Sequence, residues 1–151
     1  RWPSESTAAR LREAAGPDWA AHRAHVMAGL EANPREAVMF VLSTLKEPKL
    51  AWDLAHRLDL HDDLVWGEVI KAYQRVDPLA VLPIHSRLVV ADLVEADAAR
   101  YRSAARRLAT MRTLAAGTDQ AGYVDGLVAE LRVEYRHRPR LLLEFDRAGL
   151  P

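Results

Sequence analysis

The sequence predicts an all-α fold, and three observations carry that expectation. From residue 50 to residue 150, apolar side chains recur at helical spacing in one segment after another. Short punctuation separates the segments: Pro48, Asp77-Pro78, Gly117-Thr118-Asp119 and Arg138-Pro139. No stretch alternates apolar and polar residues with the period of two that a half-buried strand requires.

The elements follow in order. Residues 4–15 read as a first helix, with Ser4 and Ser6 as candidate N-caps and Gly16-Pro17 as its stop. Residues 18–32 place Trp19, His22, Val26 and Leu30 on one stripe and end at Asn33-Pro34. Residues 34–46 put Ala37, Phe40, Val41 and Leu45 on a shared face. Residues 48–60 do the same with Leu50, Leu54, Ala55 and Leu58. Asp62 and Asp63 suit the positive end of the next helix, whose stripe is Leu64, Val65, Val69, Ala72 and Tyr73. After Asp77-Pro78, residues 79–96 align Leu82, His85, Leu88, Val89 and Leu93. Residues 97–116 give the clearest helix, with Tyr101, Ala104, Ala105, Leu108, Met111 and Ala115 on one face. Gly117 fits a left-handed C′ position, and Thr118 and Asp119 are candidate caps for the following helix. That helix carries Tyr123, Val124, Leu127, Leu131 and Tyr135. A short last helix, 139–148, turns Leu141, Leu142 and Phe145 inward and closes at Gly149.

The expected total is about eight or nine helices joined by links short enough to make neighbours antiparallel. Such pairs either stack as a solenoid or close into an irregular bundle. Trp66, Ala72, Tyr73 and Pro78, then Tyr101, Ala104, Ala105 and Leu108, loosely echo the large–small pattern of a tetratricopeptide repeat, but no period near ~34 residues emerges. The expectation is one α-helical domain over 1–151, with N-terminal helices over 1–49 and a helical-repeat-like, solenoid-like region over 50–151; a closed bundle is the alternative.

Composition narrows the function. With 50% hydrophobic residues and 28% charged ones, the chain can bury a core and is not of disordered type. A formal net charge of zero gives no overall field toward nucleic acid or membrane. The absence of cysteine removes a disulfide framework, a thiol nucleophile and thiolate metal sites, and fits the cytoplasm. No apolar run approaches the ~20 residues of a membrane helix, and no signal peptide is visible, so no membrane partner is expected. Arginine exceeds lysine and alanine is abundant, which reads as the base bias of a GC-rich bacterium. A start at Arg1 rather than Met reads as a fragment or processed chain, while the residues 148–151 read as a natural terminus.

Catalytic signatures are missing. No serine sits in a nucleophile elbow, no His-Glu-x-x-His occurs, and no carboxylate pair has apolar sequence neighbours that would shift its pKa. His22 and His25 share a helix side but lack a third metal ligand; a structural role is favoured. His56, His61, Asp62 and Asp63 cluster in sequence, and the favoured reading is again structural, with the aspartates capping a helix. His85 falls on an inner face as a core histidine. The expected function is therefore non-enzymatic, with no cofactor and no metal.

Two surfaces remain as candidates. Trp52, Trp66 and Tyr73 can line a groove that receives a protein partner, because aromatic anchors dominate such interfaces, although core packing is the commoner use of these residues. Residues 97–151 hold ten arginines against seven acids, and residues 1–96 carry the opposite excess. Arg102, Arg106, Arg107, Arg132, Arg136, Arg138 and Arg140 are the candidate phosphate-contacting set for nucleic acid. They merge into one stripe only if their helices are neighbours; the alternative is pairing with Glu130, Glu134 and Asp146 on a solvated face.

A family resemblance rests on three segments. Residues 101–114, YRSAARRLATMRTL, look like the late helical region of bacterial SWIM zinc-finger proteins. Residues 128–151, VAELRVEYRHRPRLLLEFDRAGLP, resemble that family's C-terminal run of a basic helix, an Arg-Pro break and a leucine-rich helix. Asp77-Pro78-Leu79 followed by a helix fits the same layout. The resemblance covers roughly residues 50–151. It implies the helical C-terminal part of such a protein, separate from the Cys-x-Cys and Cys-x-His metal finger, which a chain without cysteine cannot carry. It also implies contact with nucleic acid or protein, and it transfers no metal ligand to any residue here.

Overall fold

A computed structural model describes Arg23, His25, Gly29, Leu30 and residues 32–151. The helix expected at 4–15, most of that at 18–32, and His22 lie outside the described residues. Among the described residues there are seven α-helices and no strand, fewer than the eight or nine expected of the whole chain. The chain divides into two compact units, Arg1–Val76 and Asp77–Pro151, with the boundary at the Asp77-Pro78 break.

In the first unit, α1 (Pro34–Phe40) starts at Asn33, whose side chain accepts a hydrogen bond from the Glu36 amide, with Pro34 in the first turn. The helix expected to run regularly to residue 46 instead widens into a π-helical turn, Val41–Leu45, and stops at Lys46 with φ +53°. Val41, Ser43 and Thr44 have weak α-propensity, and Pro48 prevents continuation. α2 (Pro48–Arg57) again begins with proline, and α3 (Asp63–Tyr73) is capped by Asp62, which accepts from the Leu64 and Val65 amides at 3.1 and 3.2 Å. These three helices pack on one another.

Asp62 also receives the Arg35 guanidinium at 2.6 Å. That contact, with the two amides, holds its carboxyl below the usual aspartate range. The cap fixes the phase of α3. Val65, Trp66, Val69, Ile70 and Tyr73 are buried, whereas Leu64, expected inward, is 83% exposed and Ala72 only half-buried.

The second unit is organised on α5. Its helices are α4 (Leu82–Asp92), α5 (Ala98–Ala115), α6 (Ala121–Glu134) and α7 (Pro139–Arg147), and α5 packs against the other three. Every residue of the stripe expected on α5 is buried. Its three core alanines at 104, 105 and 115 let neighbouring backbones approach closely. α4 begins three residues later than expected, after a turn in which Asp77 accepts from the Ala80 amide. Its five-residue stripe, His85 included, is buried.

Gly117 takes φ +76° just past α5, where a side chain would be strained. Thr118 bridges the helices, donating to the Ala115 carbonyl and accepting from the Gln120 amide. Asp119 makes no cap, because α6 starts only at Ala121. Val124, Val128 and Leu131 define the inner face of α6. Tyr123, expected on that face, is 46% exposed at its flank, with its hydroxyl 2.7 Å from Ser86 Oγ. In α7, Leu141 and Phe145 are fully buried and Leu142 only partly.

Candidate functional site

Trp52, Trp66 and Tyr73 do come together, in the first unit. Trp52 stacks on Tyr73 with ring centroids 4.5 Å apart and planes 14° from parallel, and meets Trp66 edge-on at 6.0 Å. His56 adds a fourth ring, edge-on to both tryptophans at 4.5 and 4.9 Å. Its Nδ1 lies 2.8 Å from the Trp52 carbonyl, an acceptor, which makes Nδ1 the donor. Trp66 and Tyr73 are buried, and the Trp66 indole donates to the Leu60 carbonyl at 2.7 Å. The rings spend their faces on each other. They form a packed aromatic cluster with Trp52 and His56 at its surface edge.

Among the described residues of this unit, an open concavity lies elsewhere, between the end of α1 and α3. A groove of about 300 Å³ is lined by Met39, Leu42 and Ser43 on one side and Glu68, Lys71, Ala72 and Arg75 on the other. Leu42 and Ser43 belong to the π-helical turn, a backbone irregularity often associated with functional sites. No sequence pattern announced the groove, because the π turn has no signature of its own.

The arginines of the second unit do not merge into a free stripe. Arg107 pairs with Asp92 at 3.4 Å in a half-buried setting, and Arg112 pairs with Asp125 at 2.9 Å and reaches the Gly149 carbonyl. Arg132 binds Asp146 at 2.8 Å and the carbonyls of Leu150 and Pro151. Arg136 donates to the Val133 carbonyl. Arg138 donates to the Leu93 carbonyl and lies over the Tyr135 ring, 4.8 Å from its centroid. These side chains fasten helix ends and loops. Of the pairs expected, only that with Asp146 forms. Arg102, Arg106 and Arg140 are exposed and make no ion pair among the described residues.

His85 on α4 is 5% exposed. Burial, and then the Arg107 charge, lower its pKa from 6.5 to about 4. The folded chain thus binds the proton later than the unfolded chain as pH falls. The stability from keeping His85 neutral is complete above pH 6.5 and is lost between pH 6.5 and 4, by at most roughly 3 kcal/mol. His85→Leu should therefore lose less stability than the native chain between pH 7 and pH 4, measured by urea unfolding. Parallel losses in the two proteins would contradict this.

Among the described residues, no three His, Asp or Glu side chains gather as a metal site, and no helix is long and apolar enough to cross a membrane. The fold and these surfaces define the class only as an all-helical protein. No family model, curated protein or solved structure matches the chain.

Proposed function

We propose that the chain is a non-enzymatic protein-interaction module, the helical C-terminal part of a SWIM zinc-finger-like protein, with solenoid-like stacking of helical hairpins. The observation that carries the interaction reading is the groove between the end of α1 and α3. Met39, Leu42 and Ala72 give it an apolar floor, and Glu68, Lys71 and Arg75 give it a charged rim. That combination suits the apolar face of an amphipathic helix with charges on either side. Met39 adds an adaptable contact. A cytoplasmic bacterial setting belongs to the same reading.

The competing reading, a nucleic-acid surface on the C-terminal arginines, is weakened by the employment of Arg107, Arg112, Arg132 and Arg138 inside the fold. Affinity capture with the native chain and with Ala72→Arg, each with and without nuclease, separates the two. The interaction reading expects a protein that survives nuclease and is lost on Ala72→Arg. Capture abolished by nuclease, or indifferent to Ala72→Arg, overturns it.

A further inference from the structure

Two adjoining cavities lie where the first turns of α5 meet α7. One, of about 290 Å³, is lined by Ala96, Ala98, Tyr101, Arg138, Pro139 and Arg140. The other, of about 180 Å³, is lined by Ala98, Tyr101, Arg102, Arg140, Leu143, Glu144 and Arg147. They share Ala98, Tyr101 and Arg140, so they form one trough with an apolar chamber and a cationic chamber. In the apolar chamber the guanidinium of Arg138 is held on Leu93 and Tyr135. In the cationic chamber Arg147 bonds Glu144 at 3.1 Å, while Arg102 and Arg140 are exposed and make no ion pair among the described residues.

We infer that this trough binds a phosphate monoester carried on an apolar or aromatic body, the phosphate between Arg102, Arg140 and Arg147 and the body against Tyr101 and Pro139. The three arginines and Glu144 leave the small chamber a net charge of +2, which complements a dianionic monoester. Planar guanidinium groups suit phosphate oxygens in paired hydrogen bonds. The internal phosphates of a nucleic acid carry one charge each and complement a +2 site less well than a dianionic monoester does.

The test is a titration of the full chain, followed by amide NMR shifts, with inorganic phosphate, phenyl phosphate, O-phosphotyrosine and adenosine 5′-monophosphate. Phenyl phosphate should saturate shifts at Tyr101, Arg102 and Arg140 and bind more tightly than inorganic phosphate. Arg102→Gln with Arg140→Gln should weaken it roughly tenfold or more, and Arg106→Gln, outside the trough, should leave it unchanged. Both arginines are exposed and make no ion pair among the described residues, so loss of binding with an unchanged circular dichroism spectrum reads on the site. The tighter of the phosphotyrosine and nucleotide probes assigns the source of the monoester. The inference fails if no probe saturates, if the double variant binds as the native chain does, or if an oligonucleotide without terminal phosphate binds these residues as tightly.

Discussion

Phe145→Ala lowers the unfolding free energy by about 3–5 kcal/mol, the usual range for emptying a fully buried aromatic site. Phe145 is 0% exposed and belongs to the core that joins α4, α5, α6 and α7. Its ring also lies under the Arg132 guanidinium, 5.6 Å from centroid to carbon. Arg132 in turn ties α6 to Asp146 and to the Leu150 and Pro151 carbonyls. Truncation therefore opens a cavity and removes the surface on which that tie rests. A single domain is stable by only about 5–15 kcal/mol, so the loss is a large fraction of the whole. Urea unfolding should show a lower midpoint at an unchanged slope. A loss below about 1 kcal/mol would mean that Phe145 is not a core side chain.

Trp66→Ala has an effect of similar size, about 3–5 kcal/mol, and decides what the aromatic cluster is for. The substitution removes a buried indole, strips edge contacts from Trp52 and His56, and takes the indole donor from the Leu60 carbonyl. A cluster built for packing predicts loss of stability. A cluster built as a partner groove predicts stability retained and partner binding lost. Trp52→Ala, at the surface edge, should cost less than Trp66→Ala in the same urea titration. The reverse order would return the cluster to the role of an open groove.

The legible part of the fold was the part governed by periodicity and punctuation. On α5 all six expected core residues are buried, because an 18-residue amphipathic helix between Asp97 and Gly117 leaves its phase no freedom. On α3 the phase was set by Asp62 as N-cap, and reading the stripe one residue early placed Leu64 inside. The π-helical turn after α1 was not legible: Val41, Leu42 and Leu45 suit an α-helical stripe equally well. With it went the groove beside α3, whose lining residues are ordinary in sequence and meet only in three dimensions. The candidate sites were legible as residue types but not as roles. Trp52, Trp66 and Tyr73 meet as expected yet occupy each other's faces. The arginines are concentrated as expected, but carbonyl acceptors such as Leu93, Leu150 and Pro151 are invisible to charge counting.

The most direct measurement of the interaction reading is photo-crosslinking from the groove. A photoreactive amino acid at Ser43 or at Lys71, on opposite walls, should crosslink to the same protein partner. The same group at Thr113, on the exposed side of α5 in the second unit, should not. Crosslinking absent from both walls, or equal from Thr113, would contradict the account.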